Sequence, residues 1–151
     1  MNSMNDTGVV AAPASSQTSH TQRLRGLAGT GLIATLAAMV ATTLAAALAQ
    51  AVGVHFDVPD GGETIPLAGF AVVTGTFSVV GIVIAVALLR WSARPAKRFV
   101  WTAVSLTAIS LVPPLLSGAN TATTTALLGL HLVAATVMIS TLARSLRART
   151  D

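Results

Sequence analysis

His131 is the one ionisable side chain set deep inside a long apolar run, since no formally charged residue occurs between Phe99 and Ala143. An imidazole titrates close to neutral pH, so a histidine at membrane depth suits a proton relay. It also suits a buried hydrogen bond, and the same run supplies acceptors. Pro113 and Pro114 carry no N–H, so a helix through them leaves the carbonyls of Ile109 and Ser110 without their intrahelical donors. Counting in both directions from a turn near Ala119–Asn120 puts His131 level with Ile109 and Ser110. A neutral His131 can therefore donate to a freed carbonyl, to Ser110 or to Thr107. No second titrating group shares the run, which favours the structural bond over a relay. Nitrogens more than about 5 Å from every oxygen of the preceding helix would remove that account.

A second polar group is His55, Asp57, Asp60 and Glu63. Histidine with carboxylates suits zinc, and several carboxylates suit calcium. No second histidine lies close, and neither an HExxH pattern nor an EF-hand loop is present, so the expectation is a solvated turn with no metal and no cofactor. The chain has no cysteine, and its serines stand outside any G-x-S-x-G context. Gly26-Leu27-Ala28-Gly29-Thr30-Gly31 is glycine-rich but follows no strand and lacks the phosphate-binding lysine. The expectation is a non-enzymatic protein with no catalytic residues.

The elements that position these groups follow from composition. Hydrophobic residues make up 53% of the 151 and charged residues 9%, against about 25% charged in soluble proteins. A chain of this size cannot hide so much apolar surface, so the bilayer must be its solvent. The predicted fold is an all-α membrane protein, an antiparallel bundle of four transmembrane helices at about 27–50, 66–89, 99–116 and 122–142. Residues 1–22 are small and polar and read as a disordered cytoplasmic tail. The bundle occupies 23–146, and a basic tail follows at 147–151. Ala47-Leu48-Ala49 resembles a signal-peptidase site, but the apolar run before it is too long for a signal sequence, which favours a retained helix.

Within the first span Ala34, Ala38, Ala41, Ala45 and Ala49 form a small-residue stripe, and Thr74, Ser78, Gly81 and Ala85 form one in the second. Such faces permit close helix approach. Between these spans Val54, Phe56 and Val58 alternate with His55 and Asp57, and Pro59-Asp60-Gly61-Gly62 is a turn signal. A short extracytoplasmic hairpin or loop is expected there. Pro66 suits the first turn of the second helix. A basic loop of about eight residues separates the second and third spans, and the third is expected to kink at its proline pair.

The nine basic residues set the orientation. Arg23 and Arg25 precede the first span. Arg90, Arg94, Lys97 and Arg98 lie between the second and third, and Arg144, Arg147 and Arg149 follow the fourth. The two alternate loops carry none. The positive-inside rule then places both termini in the cytoplasm of a plasma-membrane protein, with 51–65 and 117–121 outside. Trp91 and Trp101 flank the central basic stretch as an interfacial belt. These arginines are expected to meet anionic lipid headgroups rather than nucleic acid.

Three stretches carry a family resemblance: Phe56-Asp57-Val58-Pro59 with Gly61-Gly62-Glu63 and Ile65-Pro66-Leu67; Leu111-Val112-Pro113-Pro114-Leu115; and His131-Leu132-Val133-Ala134-Ala135. With them the chain resembles an uncharacterised family of small four-helix membrane proteins found mainly in actinobacteria, a domain of unknown function. The resemblance implies the four-helix architecture and an actinobacterial plasma membrane, and it brings no activity or site. The expected role is an interaction or accessory protein of the cell envelope, self-associating or bound to another membrane protein. The alternative is a small transporter or channel subunit that passes protons or cations by way of His131.

Overall fold

Long runs of Ala, Leu and Val without charge keep their backbone N–H and C=O groups paired inside helices, the only economical solution where water is absent. The computed structural model describes residues 15–57 and 64–150, with side chains from Thr21 onward. It contains α1 (Ser15–Ala51), α2 (Leu67–Trp91), α3 (Pro95–Ser110), α4 (Val112–Leu116) and α5 (Thr121–Arg147). Because α3 and α4 form one apolar stretch, four helical spans are long and apolar enough to cross a membrane: Thr21–Ala51, Leu67–Trp91, Pro95–Leu116 and Thr121–Arg147.

α1 packs along both α2 and α5, and α3 packs on α2 and α5 without touching α1. The inward row of α1 includes Leu27, Gly31, Ala34, Ala38, Thr42 and Ala46, against Thr74, Ser78, Ile82 and Ala85 of α2. Ala34 and Ala38 of the alanine stripe are buried, while Ala41, Ala45 and Ala49 are half-buried. The stripe broadens because α1 sits between two neighbours. Large side chains such as Leu32, Ile33, Leu36, Val40, Leu44 and Leu48 point outward. Small residues inside and large ones outside suit association by close contact rather than by exclusion of water.

Two glycines set the spacing of α1 and α2. A Cβ on Gly31 would lie 2.6 Å from Ile82 Cγ1, and one on Gly75 would lie 3.2 Å from Met39 Sδ. Each helix thus offers a glycine to a large side chain of the other. Hydroxyls within the helices bond back to the preceding turn, as in Thr30 to the Gly26 carbonyl and Thr35 to the Gly31 carbonyl, both at 2.9 Å. This removes their polarity from the apolar surroundings. Thr42 Oγ1 is buried with no partner among the described residues.

Several boundaries differ from the sequence expectation. Helix α1 begins at Ser15 and so runs through part of the segment read as a tail; residues 1–14 lie outside the described residues. Once a long helix is nucleated, each added residue contributes a backbone bond at little further loss, so weak formers join it. Pro66 is the N-cap of α2, in an extended conformation (φ −69°, ψ 149°), rather than a first-turn residue. The basic loop contracts to Ser92–Arg94, because Pro95 opens α3 at its first position and holds Arg94 out of the helical region. Of the expected hairpin or loop, the described residues show one antiparallel bridge, Asp57 with Thr64. Its turn, Pro59-Asp60-Gly61-Gly62, lies outside the described residues.

Gly31→Leu overpacks the α1–α2 contact and is expected to destabilise the bundle by about 1–3 kcal/mol. A Cβ added to Gly81 would meet no heavy atom within 4 Å, so Gly81→Ala should leave stability unchanged or raise it by up to about 1 kcal/mol. Thermal unfolding of the purified protein in detergent measures both.

Candidate functional site

The proline pair breaks the third span where expected in sequence, but as an interruption rather than a continuous kinked helix. α3 ends at Ser110, and Leu111 turns its N–H to the carbonyls of Thr107 (3.1 Å) and Ala108 (3.3 Å). A short second helix then carries Pro113 and Pro114 in its first turn. The chain reverses through Gly118, whose φ of +68° suits a residue without Cβ. Asn120 caps α5, its Oδ1 accepting from Thr123 N at 2.8 Å. This turn fixes the register of α5 on α3.

In that register His131 Nε2 stands 2.6 Å from Ser110 Oγ. Ser110 Oγ also lies 2.8 Å from the Thr107 carbonyl, to which it donates. A serine hydroxyl has one hydrogen, so with that hydrogen on the Thr107 carbonyl the oxygen accepts from Nε2–H. That arrangement puts a ring proton on Nε2. Nδ1 has no partner among the described residues. Thr107 contributes its carbonyl rather than its hydroxyl, and the ring meets the Ser110 side chain rather than a proline-freed carbonyl. The half-buried His131 ties α5 to the last turn of α3. Asp57 is the sole carboxylate residue among the described residues, and it belongs to the loop before α2.

That loop is held at its centre. Phe56 is fully buried and meets Phe70 edge-on, with ring centroids 4.9 Å apart. It packs in one cluster with Ala46 of α1 and Leu130 of α5. Ile65 N donates to the Phe56 carbonyl at 2.8 Å, and Thr64 Oγ1 to Asp57 Oδ1 at 3.1 Å. The His55 carbonyl accepts from Thr123 Oγ1 at 2.6 Å, while the His55 ring is exposed. Of the four residues considered for a metal, Asp60 and Glu63 lie outside the described residues. Phe56 and Thr123, which anchor the loop, were absent from the sequence-based candidates. The alternation around Phe56 marks it as the inward residue, but nothing in sequence marks Thr123.

The basic segments meet at the opposite end. Arg23 Nη1 donates to the Arg149 carbonyl at 3.1 Å, and the Arg149 guanidinium lies against Gly26, where a Cβ would approach Nη1 to 2.8 Å. Arg94, Lys97, Trp101, Arg147 and Thr150 line a cleft of about 500 Å³. A neighbouring cleft of about 420 Å³ shares Arg94, Lys97 and Trp101 and adds Leu88, Arg98 and Thr102. The Arg90 guanidinium carbon is 5.9 Å from the Trp91 ring centroid, within cation–π range. Both tryptophans, Arg25 and Arg144 are exposed. Arg144 and Arg147 lie in the last turn of α5, where cations complement the helix dipole.

Ser110→Ala and His131→Ala should each destabilise the bundle by about 1–2 kcal/mol. A double-mutant cycle should give a coupling of about 0.6 kcal/mol, with a ceiling near 1.7. At the other site, Phe56→Ala should cost about 3–5 kcal/mol. His55→Ala should change stability by less than about 0.5 kcal/mol, because the backbone carbonyl, not the ring, makes the contact. Equilibrium unfolding in detergent checks both pairs.

The chain matches no curated protein and no solved structure. Residues 22–148 match the family of unknown function DUF6069, which covers the four spans and both candidate sites, and the chain belongs to that family.

Proposed function

We propose that this protein is a non-enzymatic integral membrane protein that acts through helix contacts, as an interaction or accessory component of the cell envelope. Its four spans run antiparallel through the plasma membrane. The basic end and both termini lie in the cytoplasm, and the Phe56 loop lies outside. The observation that carries the reading is the His131–Ser110 bond. The one imidazole within the spans is engaged in joining α5 to α3, which supports a structural rather than a transporting role. Thr102 and Ser105 add exposed hydroxyls to the outer side of α3. Such groups can bond to a neighbouring helix, which fits self-association or a membrane partner.

Two measurements test this proposal. Proteoliposomes loaded with a pH-sensitive dye should show no proton flux above empty vesicles, for the natural protein and for His131→Ala alike. A flux that His131→Ala abolishes would instead establish the transporter reading. Orientation is accessible because the chain has no cysteine. A membrane-impermeant maleimide added to intact cells should label Asp57→Cys and leave Ala148→Cys unlabelled until the membrane is opened. The reverse pattern would invert the topology.

A further inference from the structure

The first two turns of α3 hold a charge arrangement that no carboxylate among the described residues balances. Helix N-termini carry partial positive charge, and cations there are disfavoured. Yet Arg94 is the N-cap of α3, Lys97 and Arg98 follow in its first turn, and no acidic residue or side-chain cap accompanies them. Arg147 reaches the same cleft from the end of α5, a separate element. None of these four forms an ion pair with a described carboxylate, since Asp57 is the only such residue and lies in the loop before α2. Mutual repulsion in one cleft from two elements is relieved when an anion joins them.

The surroundings define the anion further. Trp101 forms a wall shared by both clefts and is largely exposed. Below it Val104 and Ala108 continue down the same outer face of α3, also exposed. A ligand held here meets cations at one end and an apolar track at the other. We propose that the Arg94–Lys97–Arg147 cleft binds the phosphate of an anionic phospholipid, whose acyl chains lie along Trp101 and Val104. This inference rests on the reading of the basic end as a membrane-surface end.

Trp101 can report the test. In the Trp91→Phe background it is the one remaining tryptophan. Its fluorescence is followed in vesicles that mix unlabelled phosphatidylcholine with brominated-chain phosphatidylglycerol or brominated-chain phosphatidylcholine. Quenching should show a preference for phosphatidylglycerol of about tenfold, the scale expected from several basic groups at one anionic site. The triple variant Arg94→Gln/Lys97→Gln/Arg147→Gln should lose most of it. Arg23→Gln/Arg25→Gln/Arg144→Gln removes equal charge outside the cleft and should keep the preference within about twofold. If the cleft triple variant loses its helical circular dichroism, Arg94→Gln and Arg147→Gln are scored singly, each expected to weaken the preference about threefold.

Equal quenching by the two lipids overturns the site and leaves the membrane reading intact, as does equal loss in the two triple variants. Displacement of the phosphatidylglycerol preference by inorganic phosphate at unchanged ionic strength would reassign the cleft to a soluble anion and overturn the lipid assignment. Absence of quenching by either brominated lipid would overturn the membrane reading itself, and the lipid site with it.

Discussion

In an apolar solvent a backbone N–H or C=O has no water to fall back on, so each one must be satisfied within the protein. That constraint accounts for the long helices, and it accounts for how their polar side chains behave. Thr30 and Thr35 turn their hydroxyls to the carbonyl four residues back, and so do Thr76 and Thr141. The rule is most strained at Pro113 and Pro114, where two donors are missing. The backbone responds by ending α3 at Ser110 and starting again at Val112. The His131–Ser110–Thr107 bonds lie at that break. The most polar feature of the spans is thus placed beside the interruption, where it joins α5 to α3 without supplying a donor to the carbonyls that the prolines free.

The two ends of the bundle are built on different chemistry. One end is closed by burial: Phe56 reaches into a cluster with Ala46 and Leu130, and Thr123 fastens the backbone beside it. At the other end charge accumulates, with Arg23 resting on Arg149 and a cleft gathering Arg94, Lys97 and Arg147. A buried aromatic needs no solvent partner, whereas clustered guanidinium and ammonium groups need water or counter-anions close by. Both ends present polar groups, His55 and Asp57 at one and the clustered cations at the other, but only the second gathers charge of one sign.

Four long apolar spans were legible in the sequence because hydrophobicity over some twenty residues is a strong signal. The shared depth of His131 and Ser110 was legible too, because the turn at Asn120 and the proline pair fix the relative level of the two helices, whereas the choice of the Ser110 hydroxyl over a freed carbonyl or Thr107 was not. Boundaries were less legible. Nothing local in Ser15–Gln22 favours a helix, and it joins α1 by extension from the apolar run. The loop contraction to Ser92–Arg94 depends on Pro95 acting as a helix start, a role it shares in sequence with acting as a break. The meeting of Arg147 with Arg94 and Lys97 depends on which helices adjoin, and no local pattern encodes that.

The hydrogen bond from Arg23 to the Arg149 carbonyl joins residues 126 positions apart. It is the outermost sign of a wider arrangement in which the first helix lies between the second and the last. α1 and α2 can dock through Gly31 and Gly75 as soon as both exist. The other side of α1 has no partner until α5 is made, after α3 and α4 have already entered the bilayer. During synthesis the α1–α2 pair therefore stays half-covered from the completion of α2 at Trp91 until α5, Thr121–Arg147, has been made. Of these five helices, the one made last is the one that completes α1.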